Sequence, residues 1–223
     1  MDPIAHIQSC FPQKFGIPRQ AGIVDTPARI VFELPYRTSD ALRGLEEFDY
    51  IWLLWQFHLA EREGWSATVR PPRLGGNQRM GVFATRSPFR PNNIGLSSVR
   101  LIRIEYDTSE GPVLHITGAD LMDGTPILDI KPYLPYTDCH PDARSGFAPQ
   151  AASSSLEVEC PHHLLNRLPD TLQHSLTQLL AHDPRPQYHH DSQRTYGMAL
   201  SNWEIKFRVD GNKAIVTDIT PRR

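Results

Sequence analysis

The sequence has almost no net charge, few cysteines and no long apolar run, and each of these shortages excludes a class of protein. Its 23 Lys and Arg residues face 25 Asp and Glu residues in a chain of 223, so bulk charge alone cannot hold a polyanion. Nowhere do about 18 uncharged apolar residues follow one another, as a membrane-spanning helix requires, and Met1 to Phe11 lacks the pattern of a signal peptide. We therefore expect a soluble, cytoplasmic protein, in which any nucleic-acid contact comes from a local basic patch.

The cysteine and glycine patterns exclude the commonest metal and nucleotide sites. Cys10, Cys139 and Cys160 are far apart, form no CxxC pair and have no histidine at a ligand spacing. No GxGxxG motif follows a strand-like run, and Gly75 and Gly76 lie in RPPRLGGNQRMG, which matches neither the dinucleotide fingerprint nor a P-loop. The sequence predicts three thiols that are buried or idle, no metal site and no Rossmann-type cofactor site.

Proline, in contrast, is abundant, with 20 residues, roughly twice the usual share of about 5%. A chain that also holds 39% hydrophobic residues is typical of a folded protein with many fixed turns, which favours strands. Five segments rich in β-branched and aromatic residues are predicted strands: Ile30–Leu34, Tyr50–Phe57, Met80–Thr85, Ser97–Tyr106 and Val113–Ala119. Regular amphipathic helices do not separate them, so we expect a closed or nearly closed sheet rather than a doubly wound one.

Two weaker patterns complete the first half of the chain. Ser39–Glu47 is predicted to form a short helix between the first two strands. Thr137 to Ser155 is polar and small, as an interdomain linker is. We therefore divide the chain into a domain over residues 1–138, a linker over 139–155 and a small C-terminal domain over 156–223.

The C-terminal part predicts a helix and a hairpin. Asp170 is expected to cap a helix that ends at Asp183, before Pro184. The predicted helix carries one apolar face, formed by Leu172, Leu176, Leu179 and Leu180. Beyond it, apolar and polar residues alternate in WEIKFRV and KAIVTDI on either side of Asp210-Gly211-Asn212, which predicts a β-hairpin.

Six segments are too specific to be mere turns, and they carry a resemblance to a known family. They are IPRQAG (17–22), FHLAE (57–61), VRPPRLGGN (69–77), FATRSPFRPNNIG (83–95), DLMDGTPILDIKPYLPY (120–136) and DPRPQY (183–188). Together and in this order they resemble the TsaA-like family, also called TrmO or YaeB-like. The resemblance implies a mainly β protein, with a closed β-barrel methyltransferase domain and a small α+β C-terminal domain.

The resemblance also implies an activity and its partners. It implies transfer of a methyl group from S-adenosylmethionine to the exocyclic amine of N6-threonylcarbamoyladenosine at position 37 of tRNA. The implied partners are the anticodon stem-loop and a second copy of the chain, with no metal and no membrane. Two alternatives stay open: a non-catalytic RNA- or nucleotide-binding module, and the same cofactor with a different methyl acceptor.

The resemblance assigns the cofactor to residues of four of these motifs. S-adenosylmethionine carries a carboxylate, an ammonium, a ribose diol and an adenine, so its site must offer a cation, backbone groups and an apolar wall. The implied cofactor-binding residues are Pro18, Arg19, Gln20, Phe57, His58, Arg86, Arg90, Gly95, Leu96, Asp123, Gly124, Thr125 and Pro126. Arg86 and Arg90 can equally grip an RNA phosphate. Since the family usually has proline where this chain has Asn93, we expect a slightly looser loop there.

Four residues are candidates for the chemistry itself. Asn92 can accept a hydrogen bond from the substrate amine. Asp129 and Lys131 alternate with apolar residues and so share one face, where they can orient the base, accept the released proton or simply form a surface salt bridge. Tyr133 can stack on the base or pack in the core.

The basic patch is expected around the third motif. Arg70, Arg73 and Arg79 make the densest cationic segment of the chain, and an anticodon stem-loop is a polyanion that such a segment can bind. Arg185 and Tyr188 of DPRPQY are the RNA-binding candidates in the C-terminal part.

Overall fold

The computed structural model describes residues 1–60, 65–71, 78–147, 155–185 and 191–222. Its strands, numbered along the chain, are β1 (Ala5–Gln8), β2 (Pro27–Phe32), β3 (Tyr50–Gln56), β4 (Thr68–Val69), β5 (Met80–Gly81), β6 (Ile94–Glu105), β7 (Val113–Thr117), β8 (Pro126–Pro132), β9 (Glu157–Glu159), β10 (Tyr196–Leu200), β11 (Trp203–Asp210) and β12 (Lys213–Pro221). Its α-helices are α1 (Pro135–Asp138), α2 (His162–Leu165) and α3 (Asp170–Ala181).

Six strands close into a barrel in the order β1-β2-β7-β6-β3-β8. Neighbouring strands run antiparallel, and β3 pairs on both edges, with Leu53 opposite Ser97 on β6 and opposite Ile130 on β8. The strict alternation along β3 turns Ile51, Leu53 and Trp55 into the barrel, where each is buried, as the two-residue period of a strand requires. The predicted closed, mainly β fold is confirmed.

The second core lies in the C-terminal part. A four-stranded sheet in the order β10-β11-β12-β9 packs against α3, whose buried leucines include Leu176 and Leu180. This core also contains Cys10, Phe11 and Val24, which lie between β1 and β2. The segment between the first two barrel strands therefore packs into the C-terminal core.

Direct hydrogen bonds also join the two parts of the chain. The backbone N–H of Asp25 donates to the side-chain oxygen of Gln178 at 2.7 Å, and the Ser175 hydroxyl donates to the Asp25 carbonyl at 3.1 Å. The backbone N–H of Ser201 donates to the Cys10 carbonyl at 2.7 Å. These contacts hold the C-terminal sheet and helix against the β1–β2 connection.

The structure corrects the predicted strand Met80–Thr85. Only Met80–Gly81 is extended, paired with Thr68–Val69, and Val82–Ala84 forms a turn of 3₁₀ helix. The Thr85 hydroxyl donates back to the Val82 carbonyl at 2.8 Å, which stabilises that turn. Local hydrogen bonding of this kind competes with strand pairing.

The two predicted helices also differ from the structure. Ser39–Glu47 forms two 3₁₀ turns, Ser39–Leu42 and Leu45–Glu47, because Gly44 between them adopts φ of +84°, a conformation outside a right-handed helix. Asp170 is the first residue of α3 rather than its cap, a position that Pro169 occupies. The helix ends at Ala181, two residues before Asp183.

The predicted hairpin is present as β11 and β12, but the helix-plus-hairpin description is incomplete. The same sheet holds β10, antiparallel to β11, and the three residues of β9, parallel to β12. Strand β1, which closes the barrel between β2 and β8, was not predicted either. Among the helices that the structure describes, none is long and apolar enough to cross a membrane.

Candidate functional site

A cavity of about 860 Å³ lies beside the ends of β3 and β6. Four separate segments meet there: the loop that carries Pro18–Gln20, the end of β3 with Phe57–His58, the loop 83–95 and the segment 120–125. Eleven of the residues proposed from the sequence line it, namely Pro18, Arg19, Gln20, Phe57, His58, Arg86, Arg90, Asn92, Gly95, Leu96 and Thr125. The fold therefore assembles in one place residues that are far apart along the chain.

The loop 83–95 is held in shape by its own side chains. The Arg90 guanidinium donates to the carbonyl of Thr85 at 3.0 Å and more weakly to that of Ser87 at 3.4 Å. With its amide nitrogen turned into the loop, Asn93 donates to the carbonyl of Arg90 at 2.8 Å and to that of Pro88 at 3.2 Å. Asn93 in this orientation connects two points of the loop from inside, and the looser loop expected from the missing proline stays a prediction.

Two arginines connect the cavity segments to one another. Arg86 of the loop 83–95 donates a hydrogen bond to the side-chain oxygen of Gln20. Arg19 donates to the backbone carbonyls of Asp183 and Arg185, both at 3.2 Å. The loop that carries Arg19 and Gln20 is therefore linked to the loop 83–95 on one side and to the C-terminal domain on the other.

Aromatic rings form one wall of the cavity. The rings of Trp55 and Phe57 are 4.2 Å apart between centroids, and both side chains line the cavity. Gly95 lies against the Trp55 ring so closely that a Cβ atom at this position would be 2.3 Å from it. A glycine is required here by the packing of Trp55, and the cofactor contact of Gly95 stays a prediction.

Asp120 is a cavity residue that the sequence analysis did not single out, although it begins the motif DLMDGTP. Its carboxylate accepts a hydrogen bond from the Ser97 hydroxyl at 2.6 Å, and Ser97 accepts one from the Trp55 indole at 3.0 Å. Burial raises the pKa of Asp120, while the bonds from Ser97 and from backbone N–H groups, and the charge of Arg86, lower it in part. The net shift is upward, so the protein makes this carboxylate costly to ionise.

The DGTP segment contributes less to the cavity than predicted. Asp123 and Gly124 are exposed, and the Asp123 carboxylate accepts a hydrogen bond from the backbone N–H of Ser9 at 2.9 Å. Thr125 is buried and lines the cavity, while Pro126 begins β8. The cofactor roles of Asp123, Gly124 and Pro126 stay predictions.

The candidates on β8 lie beside the cavity rather than in it. Lys131 and Asp129 form an ion pair with each other at 2.8 Å, and both side chains are largely solvent-exposed. The Tyr133 ring lies 5.6 Å from the ring of Trp52, which does line the cavity. Lys131 is also the partner of Trp52 in the pairing of β3 with β8, and the catalytic roles of all three residues stay predictions.

The predicted RNA-binding arginines fall into two different settings. Arg70 and Arg79 are exposed and flank the short β4–β5 ribbon, where Arg79 donates to the Thr68 hydroxyl at 3.3 Å. Arg185 forms a two-bond pair with the Asp183 carboxylate, at 2.8 and 2.9 Å, and its side chain is only 13% exposed. Hydrogen bonding to Asp183 raises the pKa of Arg185. Arg73 and Tyr188 lie outside the described residues.

Comparison with known proteins identifies the family. A family model described as the tRNA-methyltransferase O N-terminal domain matches residues 6–139, and one described as the TrmO C-terminal domain matches residues 149–222. The chain belongs to the TrmO family. The second match begins at residue 149, and residues 148–154 lie outside the described part of the chain.

Individual proteins match over three quarters of the chain or more. A tRNA (adenine(37)-N6)-methyltransferase of Escherichia coli K12 is 40% identical over 99% of this chain and 97% of its own length. A protein of the same name from Eikenella corrodens is 49% identical over 76% of this chain and 95% of its own. A crystal structure of TrmO from Pseudomonas aeruginosa has a TM-score of 0.76 at 34% identity, covering 98% of this chain and 97% of that one.

The TrmO cavity of this chain fits S-adenosylmethionine in size and chemistry. Its volume falls in the range of about 300–1,000 Å³ that is typical of small-molecule sites. It offers guanidinium groups for a carboxylate, the rings of Trp55 and Phe57 for an adenine, and the Asp120 carboxylate for a cation. Within the described residues, no three His, Cys, Asp or Glu side chains are grouped as a metal site would require.

Proposed function

We propose that this TrmO-family chain transfers a methyl group from S-adenosylmethionine to the N6 atom of adenosine 37 in tRNA. One observation carries the proposal: the cavity brings together residues 17–20, 57–58 and residues of the loop 83–95, all within the N-terminal family match. The full-length similarity to tRNA (adenine(37)-N6)-methyltransferases supports the same reaction.

The residues of the cavity are suited to orientation rather than to covalent catalysis. S-adenosylmethionine supplies a methyl group made electrophilic by a sulfonium. The chain must hold an amine in line with that methyl group, and positioning of this kind supplies a large part of the acceleration of a two-substrate reaction. A loop fixed by Arg90 and Asn93, and a wall fixed by Trp55 against Gly95, provide the rigid surfaces that such positioning needs.

We assign the acceptor as N6-threonylcarbamoyladenosine, as the family resemblance implies, and the number of cations around the cavity agrees with this acceptor. Lys14, Arg19, Arg86 and Arg90 all line it, whereas the cofactor carries a single carboxylate. The threonyl group of the modified base adds a second carboxylate, which a guanidinium can bind through two hydrogen bonds. Asn92 is exposed in the loop 83–95, and its side-chain oxygen would accept a hydrogen bond from the amine that is methylated.

The RNA around the target base would contact the surface beside the cavity. Base 37 lies in the single-stranded anticodon loop, so that its capture needs less unstacking than in a duplex. Arg70 and Arg79 on the β4–β5 ribbon are exposed cations suited to phosphate contacts. We further propose that the chain acts in the cytoplasm as a homodimer, as the family resemblance implies, and sedimentation equilibrium is the direct test of the dimer.

The reaction is tested with purified protein, methyl-labelled S-adenosylmethionine and tRNA from cells that lack the native methyltransferase. Digestion to nucleosides and mass spectrometry should place the added methyl group on N6-threonylcarbamoyladenosine. A matched tRNA transcript that carries plain adenosine at position 37 should stay unmethylated. Methylation of the transcript to the same extent would overturn the assigned acceptor, and absence of methylation in both would overturn the proposed reaction.

A further inference from the structure

Asp120 is held in one orientation by the barrel wall. It follows the end of β7, between Ala119 and Leu121, both fully buried in the barrel core. The hydroxyl of Ser97 on β6 donates to its Oδ1 atom at 2.6 Å, and the indole N–H of Trp55 on β3 donates to Ser97 at 3.0 Å. Ser97 and Trp55 are themselves buried, so this hydrogen-bonded chain leaves the carboxylate little freedom to turn.

The surroundings of Asp120 would favour binding of a positively charged group. Of the described residues that line the cavity, Asp120 alone carries a carboxylate. Its burial outweighs the hydrogen bonds that it accepts and the nearby charge of Arg86, so that its pKa stays above the ordinary value. A carboxylate kept in such a place costs stability unless a positive group pairs with it, and a bound cationic ligand would provide that group.

The neighbouring cation indicates which part of the ligand belongs here. Arg86, an exposed residue of the loop 83–95, lines the same cavity as Asp120, and its charge partly lowers the pKa of Asp120. Arg19 and Arg90 line the same cavity but donate to backbone carbonyls. A neighbouring carboxylate and guanidinium match an α-amino acid group, whose ammonium and carboxylate are attached to one carbon atom.

We propose that Asp120 binds the α-ammonium group at the amino-acid end of S-adenosylmethionine, while Arg86 binds the adjacent α-carboxylate. Ser97 is then a positioning residue, because it acts by orienting Asp120. The inference rests on the proposed function, since it names a contact within the same cofactor site. It predicts that the cavity recognises the zwitterion as a unit and not the carboxylate alone.

Titration calorimetry with two ligands tests this contact without any turnover. S-adenosylhomocysteine carries the zwitterion without a reactive methyl group, and its desamino analogue keeps the carboxylate but lacks the ammonium. The wild-type protein should bind S-adenosylhomocysteine at least about tenfold more tightly than the analogue, as loss of a charge-assisted hydrogen bond predicts. Asp120→Asn should bind the two ligands about equally, and Glu110→Gln, which removes a carboxylate paired with Arg29 elsewhere on the barrel, should behave as wild type.

The outcomes separate this inference from the proposed function. If the wild-type protein binds neither S-adenosylhomocysteine nor S-adenosylmethionine, the proposed function fails. If it binds S-adenosylhomocysteine and the desamino analogue equally well, the assignment of Asp120 is overturned and the function stands, even should the Asp120→Asn variant not fold. Two results with a folded Asp120→Asn variant also overturn the assignment. In one, the variant prefers S-adenosylhomocysteine over the desamino analogue by the same factor as the wild-type protein. In the other, its affinities for both ligands fall by the same factor.

Discussion

Two buried serines, one in each part of the molecule, show how the barrel and the C-terminal domain differ. Ser97 on β6 and Ser175 on α3 are both at most 2% exposed. The Ser97 hydroxyl connects the Trp55 indole to the Asp120 carboxylate at the cavity. The single hydrogen of the Ser175 hydroxyl is shared between two acceptors, the carbonyls of Asp25 at 3.1 Å and of Thr171 at 3.2 Å.

The same residue type therefore orients a cavity carboxylate in one region and joins two parts of the chain in the other. A buried hydroxyl is stable only when its hydrogen-bonding partners are present, and the identity of those partners defines its role. In the barrel the partner is a titratable group that faces a cavity. In the C-terminal domain the partners are backbone carbonyls, one of them in the β1–β2 connection, so the bond holds that connection in place.

The largest effect that separates the two regions should come from the C-terminal core. Leu176 is fully buried on α3, and Leu176→Ala should lower the free energy of unfolding by about 2–5 kcal/mol through lost burial and a residual cavity. Chemical denaturation measures this loss. Because Leu176 does not line the ligand cavity, the folded variant should keep its affinity for S-adenosylhomocysteine within about twofold. A much larger loss of affinity would show that the C-terminal core shapes the cavity.

The next largest effect should come from the rim of the cavity. There a substitution should lower ligand affinity and leave stability nearly unchanged. Arg86 is exposed and its hydrogen bond is to the Gln20 side chain, so Arg86→Ala should change the melting temperature little. It should weaken S-adenosylhomocysteine binding on the order of 100-fold, because a charged hydrogen-bonding partner of the α-carboxylate is lost. Calorimetry measures the affinity. Arg43→Ala, which removes an exposed arginine paired with Asp40, is the matched control, and equal affinities in the two variants would contradict the assigned role.

The two serines themselves make a smaller and more direct comparison. Ser97→Ala should weaken S-adenosylhomocysteine binding by roughly threefold to tenfold, since Asp120 loses the donor that orients it. Ser175→Ala should leave the affinity within about twofold and lower the free energy of unfolding by about 1 kcal/mol. Ser97→Thr, which keeps the hydroxyl, should restore part of the affinity. The comparison fails if both alanine variants change affinity by the same factor.

Features set by local patterns could be predicted from the sequence. The apolar run Tyr50–Gln56 and the alternation of apolar and polar residues in Trp203–Asp210 both correspond to strands whose alternate residues are buried. The leucine face of α3 is likewise present. The strand Ala5–Gln8, in contrast, has four residues and gains its place from pairing with β2 and β8, which no local pattern reveals.

Residues of the site could be predicted only where they belong to a recognisable sequence motif. The motifs named most of the lining residues, but the role of Asp120 depends on Ser97, 23 positions earlier, and on the charge of Arg86. Arg185 was interpreted as an RNA ligand, although the fold places it against Asp183 with its side chain mostly buried. Burial in the folded chain determines both settings, and that of Asp120 also depends on partners distant in sequence, which local spacing does not encode.

The smallest expected effect is a difference in the rates at which the three thiols are modified. It compares the two regions without any substitution. Cys139 is exposed, Cys160 is partly buried, and Cys10 is buried in the C-terminal core. Burial raises the pKa of Cys10 to about 12 and also raises the pKa of Cys160, so at pH 8 both carry less reactive thiolate than an ordinary cysteine. A thiol-reactive chromophore should therefore modify Cys139 first and Cys160 more slowly, and should reach Cys10 only when the protein unfolds. Because Cys10 belongs to the β1–β2 connection but packs in the C-terminal core, its modification in the native protein would show that this connection detaches from that core.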